Sequence, residues 1–140
     1  MKLKKVMCFG TFDLLHPGHL NYFHQARLYG DYLIVIIARD KTKVNEKKPT
    51  IFSEKERLAM VNSLRIVDEA VLGDEQDHFK VIREKNPDVL CLGYDQKITE
   101  EELSKKLNSL GMNAKVKKLK PYHPQMFKSS LLKEKITQHL

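Results

Sequence analysis

The 140-residue sequence contains no apolar run approaching the roughly 20 residues needed to span a bilayer, so a membrane role is not expected. Its basic N-terminus, MKLKKV, runs straight into a strand-like stretch without the apolar segment of a secretory signal, and the two cysteines, read as buried free thiols, make a cytoplasmic protein the expectation. Cysteine is scarce. Cys8 and Cys91 each sit inside an apolar run and read as buried free thiols; a disulfide between them would require their strands to be neighbours. Internal repeats, low-complexity stretches and linkers are also missing, which leaves one domain over residues 1–140, large enough to bury a core without disulfide or metal staples. Two nucleotide fingerprints are absent as well. No G-x-G-x-x-G follows a strand and no G-x-x-x-x-G-K-[ST] occurs, which argues against dinucleotide redox chemistry and P-loop phosphotransfer.

Acidic charge is short relative to basic: 25 Lys and Arg stand against 18 Asp and Glu, a net charge of +7. Residues 101–140 hold nine lysines and three glutamates, including the run KVKKLK. A basic surface suits an anionic partner, either nucleic acid or a polyphosphate small molecule, and it equally suits a solvated strand edge that resists aggregation. The lysines are not interleaved with stacking aromatics, so nucleic acid is not the expected partner.

What is present alternates between strand and helix. LKKVMCF, DYLIVIIA, EAVLG, DVLCLG and NAKVKKL read as strands, the second apolar enough to be buried on both faces. Between the first two, Leu20, Phe23, Ala26 and Leu28 have roughly helical spacing, with Gly30 as the stop. A second helix opens with the capping box Ser53–Glu56 and carries Leu58, Val61 and Leu64 as its apolar stripe. A third, DHFKVIREKNP, stops at Asn86-Pro87, and a fourth starts at a capping box from Thr99 to Glu102. The last, LLKEKITQHL, has Ser129 and Ser130 as candidate caps. Five strands, four intervening helices and one trailing helix describe an α/β fold: a Rossmann-like, doubly wound, parallel five-stranded sheet.

In such a sheet ligands bind beyond the carboxyl ends of the strands. The unusual residues gather there, in GTFDLLHPGH, RDKTKVNEKKPTIF, GYDQK and KPYHPQMFKSS. In the first of these loops Gly10 allows a tight turn off the strand, and Gly18 at the helix start admits a ligand close to backbone N–H groups. His16 and His19 add N–H donors where a phosphate would sit. A single histidine at a helix start commonly serves only as a polar cap; two at H-x-G-H spacing after G-T-F-D point to anion chemistry. Zinc would need a third ligand, and Cys8 and Asp13 complete no recognised set, so no residue is assigned to a metal.

GTFDLLHPGH resembles the nucleotide-binding signature of the cytidylyltransferase-like nucleotidyltransferases. The resemblance continues through ARD, ERLAMVNSLRIVDEAVLG, LGYD and FKSS. The compact length, HPGH and LGYDQ are closer to the archaeal-type FAD synthases; glycerol-3-phosphate cytidylyltransferases, which use CTP, are similar in the same places and remain the alternative. The resemblance implies in-line transfer of a nucleotidyl group from ATP to a phosphate-bearing acceptor, FMN being favoured, with pyrophosphate leaving and a divalent cation such as Mg²⁺ bridging phosphate oxygens. It also implies a homodimer.

Carried over residue by residue, it makes His16, His19 and Lys48 the catalytic set. Thr11, Phe12, His16, Pro17, Gly18, His19, Asp95, Tyr122, Ser129 and Ser130 become nucleotide-binding, while Asp13 and Arg57 face acceptor or phosphate; holding the loop, orienting a histidine and reaching the metal are equally open roles for Asp13. Lys41, Lys43 and Lys47 share the Lys48 loop, where Glu46 stands in place of a further lysine. Arg65 matches a family arginine with an interface or capping role equally open. Gly93 lies beside Asp95, and Lys128 replaces a small hydroxyl residue. A flavin ring needs a flat apolar wall, and Phe52, Tyr122, Met126 and Phe127 are candidates for it. His24, His78, His123 and His139 show no partner logic and read as surface residues.

Overall fold

The run YLIVII has no polar side chain apart from the Tyr32 hydroxyl, and as a strand it can be satisfied only with apolar layers on both faces. The computed structural model, which describes residues 2–139, places it accordingly. Strands β1 (Lys5–Gly10), β2 (Tyr32–Ile37), β3 (Glu69–Leu72), β4 (Val89–Leu92) and β5 (Lys115–Lys118) form one sheet in the order β3-β2-β1-β4-β5. Every neighbouring pair is parallel. The helices among the described residues are α1 (Pro17–Arg27), α2 (Asp40–Asn45), α3 (Glu54–Asn62), α4 (Lys80–Lys85), α5 (Glu100–Ser109) and α6 (Ser129–Gln138).

The period-2 alternation of the strands divides the core into two layers. Val6, Cys8, Leu33, Val35, Ile37, Val89 and Cys91 meet Phe23 and Ala26 of α1 and Val61 of α3. Met7, Ile34, Ile36, Leu90 and Leu92 meet Ile82 of α4 and Leu103 and Leu107 of α5 on the other face. Each such aliphatic side chain contributes about 1.5–3 kcal/mol when fully buried, so β2, with five of them, is the strand on which the sheet is assembled. At the edge, β5 buries only Val116 and exposes Lys115, Lys117 and Lys118. Part of the basic excess is therefore the solvated strand edge, which discourages further pairing. None of the helices described is long and apolar enough to cross a membrane.

Three local expectations need correction. The lysine-rich stretch after β2 contains a helix, α2, that the apolar pattern did not announce, because its only large apolar residue, Val44, is 67% exposed. It is fixed instead at its start, where Asp40 N–H donates to Glu54 Oε1 (3.0 Å) and Glu54 N–H donates back to Asp40 Oδ2 (3.1 Å). Leu28 is 85% exposed; of the α1 stripe only Phe23 and Ala26 are buried. Ser129 and Ser130 do not cap α6. Lys128 is the cap residue, and Ser129 Oγ donates to the Leu14 carbonyl at 3.2 Å, tying α6 to the loop after β1. Elsewhere the expected signals are met: the Ser53–Glu56 capping box is complete, and Thr99 accepts from the Glu102 N–H.

Cys8 and Cys91 stand opposite each other in the β1–β4 register, and both are free and buried. Burial, then the neighbouring Cys91, pushes the Cys8 thiol well above its ordinary value, and burial takes Cys91 up to about 12. Since the thiolate is the reactive form, labelling of either cysteine in the native protein should run about 100-fold or more slower than in denaturant. Mass spectrometry after timed alkylation measures this; comparable rates would mean that the centre of the sheet opens readily.

Candidate active site

The order of the sheet reverses between β1 and β4, which places a crevice at their carboxyl ends. Tyr22 from α1 closes its floor: its hydroxyl donates to the Cys91 carbonyl at 2.5 Å and accepts from the Phe9 N–H at 3.3 Å. Above lies a cleft of 830 Å³, lined by the four loops that carry the unusual residues of the sequence.

The first loop turns on a close approach. Phe12 has a φ of 55° and folds its ring back onto Gly10, where a Cβ would stand 2.5 Å from the ring. The ring is thereby buried against Phe23 and the edge of His19. His16 follows as the N-cap of α1, its Nδ1 accepting from the Gly18 N–H at 3.1 Å. That bond fixes the tautomer, because an accepting Nδ1 leaves the proton on Nε2. A side chain at Gly18 would collide with this ring, at 2.8 Å, and press on the Phe127 carbonyl at 3.3 Å. Gly18 is thus required for ring placement, and its amide is already engaged. The His19 and Leu20 amides likewise donate to the His16 carbonyl.

The free amides of the site are on α6 instead. Its first three residues, Ser129, Ser130 and Leu131, have N–H groups without a hydrogen-bond partner among the described residues. Ser129, Ser130, Lys128 and Lys133 all line the cleft. A helix N-terminus flanked by two lysines suits an anion.

The two histidines are stacked, with ring centroids 3.8 Å apart and planes 27° from parallel. Burial, then the adjacent His16, pushes His19 down to about 3; burial also lowers His16, partly opposed by the Asp95 carboxylate. His19 Nδ1 is buried without a partner. At neutral pH both rings are therefore uncharged hydrogen-bond donors.

Asp13 lines the cleft, while Arg57 lies behind it. Asp13 accepts from the Ile51 and Phe52 amides (2.8 and 2.9 Å) and pairs with Lys133 at 2.5 Å. Burial works to raise its pKa, but the Lys133 ammonium and the two amides outweigh it and hold it low. Arg57, expected to face a phosphate, is fully buried. Its guanidinium donates to the carbonyls of Phe52 (3.2 Å) and Thr11 (2.8 Å) and to Asp40 Oδ1 (2.8 Å), leaving it to hold loops together. Arg65 lies outside the cleft, beside Leu20 and His24.

Thr11, Lys48, Asp95 and Tyr122 line the cleft, as do Lys43 and Glu46, which pair at 3.3 Å. Pro17 occupies the first turn of α1. Tyr122 and Phe127 lie parallel, 6.0 Å apart, and Phe127 continues towards His16 at 6.4 Å; Phe52 and Met126 do not line the cleft. Sequence reasoning missed three residues. Lys133 was recoverable, since it follows Ser129 and Ser130 by one helical turn. Gln96 accepts from the Gly93 N–H and donates to the Phe9 carbonyl, both at 3.1 Å, binding the β4 loop to β1. His78 reaches the cleft from the loop after β3, with no local signal. No three His, Cys, Asp or Glu side chains converge as metal ligands among the described residues, and Asp13 has its oxygens engaged.

Comparison with known proteins identifies the class. The profile of the Cytidylyltransferase-like family matches residues 7–135, and the chain belongs to that family. Among its relatives, the FAD synthase of Picrophilus torridus is 45% identical, the match covering 96% of each chain. That of Methanohalophilus mahii is 46% identical over 97% of this chain and 96% of its own. A crystal structure from Thermoplasma volcanium, described as a lipopolysaccharide core biosynthesis protein, superimposes with a TM-score of 0.84 at 44% identity, covering 86% of this chain and 99% of that one.

The neutral histidines set a pH dependence. A histidine whose folded pKa lies below its unfolded value of about 6.5 binds fewer protons folded than unfolded, so stability is lost as pH falls below about 6.5. For His19 the slope approaches about 1.4 kcal/mol per pH unit. Between pH 6.5 and about 5 the carboxylates stay ionised in both states, so the slope belongs to the histidines. Urea unfolding across that window should show falling stability, and His19→Gln should flatten it. An unchanged slope in the variant would place the proton elsewhere.

Proposed function

We propose that this protein transfers AMP from ATP to FMN, giving FAD and pyrophosphate. The observation that carries the reading is the stacked His16–His19 pair, held neutral and in fixed orientation beside the unoccupied amides of α6. The acceptor follows from the FAD synthases to which the chain is similar.

The chemistry needs no protein nucleophile. An oxygen of the FMN phosphate forms a bond to the α-phosphorus as the bond from that phosphorus to the bridging oxygen breaks, and pyrophosphate leaves with the electron pair. Negative charge grows on the α-phosphate oxygens and on the leaving group. His16, with its proton on Nε2, donates to an α-phosphate oxygen, and His19 supports the same charge from the stacked position. The α6 amides, Lys128 and Lys133 take the β- and γ-phosphates, with Lys48 closing over them from the segment that leads into α3. Asp95 suits a ribose hydroxyl pair, and Tyr122 with Phe127 offers a face for the base. A divalent cation would enter on the triphosphate as part of the substrate, since Mg²⁺ keeps several waters and is bound largely through phosphates. The homodimer implied by the resemblance belongs to this proposal too, supported by the exposed Leu20 and the hollow it shares with Leu64 and Ile66.

Removing one donor aimed at developing charge typically lowers turnover about 100- to 1000-fold, and His16→Ala and His19→Ala should each lose that much kcat, with a smaller change in nucleotide binding. Pyrophosphate release and FAD formation from FMN and ATP are the measurements. Riboflavin, which lacks the attacking phosphate, should not react. A protein that forms CDP-glycerol from CTP and glycerol 3-phosphate, and no FAD, refutes the acceptor assignment.

If the 41–50 segment closes over phosphates, ATP with Mg²⁺ should slow its proteolytic cleavage, and Lys48→Ala should raise KM for ATP or lower kcat. Cleavage at the same rate with and without nucleotide would leave the segment as charged surface.

A further inference from the structure

The turn between β3 and α4 reaches the cleft from the β3 edge of the sheet, opposite the β4 and β5 side that supplies Asp95 and Tyr122. It is braced along its length. The Gly73 amide donates to the Ile37 carbonyl at 2.9 Å, and the Gly73 carbonyl accepts from Arg39 Nε at 2.6 Å. Asp74 Oδ2 accepts from the Gln76 and Asp77 amides at 3.0 and 2.8 Å, and Asp77 Oδ1 accepts from the Phe79 amide at 3.0 Å. The next side chain is different. His78 is exposed, lines the cleft and makes no hydrogen bond to another described residue.

In-line transfer separates the two substrates. With pyrophosphate at α6 and the base towards Tyr122, the attacking phosphate must approach the α-phosphorus from the far side, towards the β3 edge of the sheet. The floor on that side is apolar, made by Phe9, Ile36 and Ala38 at the ends of β1 and β2. A planar ring laid on that floor needs a second face, and the braced turn holds one imidazole at the opening. We propose that His78 is a specificity-determining residue for the acceptor, its ring stacking on the planar ring system of the flavin. The inference rests on the FMN assignment above.

The test uses the full chain with FMN and ATP, reading initial rates of FAD formation and, separately, quenching of FMN fluorescence on titration. Aromatic stacking of this kind predicts that His78→Ala raises KM for FMN about tenfold while KM for ATP and kcat stay within about twofold. His78→Phe, which keeps a ring and removes the ring nitrogens, should stay within about threefold of wild type for FMN. A His78→Ala variant with wild-type KM for FMN, an equal rise in KM for ATP, or a His78→Phe variant as impaired as His78→Ala would each overturn the proposal while FAD formation by the wild-type protein stands. Absence of FAD formation by the wild-type protein would overturn the FMN assignment and this inference with it.

Discussion

The Arg57 guanidinium, a full positive charge with no solvent exposure, is the constraint on which the site depends. Burying it is tolerable only because its nitrogens meet the Thr11 and Phe52 carbonyls and the Asp40 carboxylate. Leaving one of these buried donors without its acceptor typically costs about 1–3 kcal/mol, so the three chain segments it joins cannot drift apart cheaply. Those segments are the loop after β1, the start of α2 and the stretch leading into α3. Asp13 repeats the device from the other side, gripping the Ile51 and Phe52 amides and drawing Lys133 of α6 onto the same loop. Arg57, expected to face a phosphate, is thus part of the frame, and of the roles open to Asp13 the structure shows the one that holds the loop.

That frame decides the electrostatics of the cleft. With Asp13 and Lys133 paired to each other, Lys43 paired to Glu46 and Arg57 enclosed, the positive charge left facing the cavity among the described residues comes from Lys48, Lys120 and Lys128, opposed by Asp95. The histidines contribute none in the resting state, because burial of His19 and its stacking on His16 disfavour the imidazolium. Neutral donors have a use in a phosphate site. They stabilise charge as it develops in the transition state without adding to the attraction of the ground state.

The position of the free helix amides shows how a fold reassigns a local motif. H-x-G-H at the start of α1 invites the reading that the α1 amides bind phosphate. In the folded chain those amides are spent on His16 itself, and the helix offering free N–H groups is α6, 115 residues further along where Ser129 meets Leu14. The amides at the N-terminus of α1 are taken up in aiming an imidazole; those of α6 remain open.

Much of the architecture was legible in the sequence, because it follows from short-range rules. The apolar runs, their alternation with helical stripes, the Ser53–Glu56 box and the stop at Asn86-Pro87 specify a parallel sheet with helices on both faces, and the placement of ligand loops at one end follows from that topology. The pair His16 and His19 is legible too, being local in sequence. What only the tertiary structure decided concerns groups whose partners are distant in the chain. Nothing near Arg57 announces that its acceptors are Thr11 and Asp40, nothing in the α2 sequence shows that Glu54 holds its first amide, and nothing around His78 says that its ring faces a cleft made by residues from four other segments. Periodicity and capping report a residue's relation to its own helix or strand. Burial of a charge, or the engagement of an amide, depends on which segments the sheet order brings together, and that is fixed only when the whole chain packs.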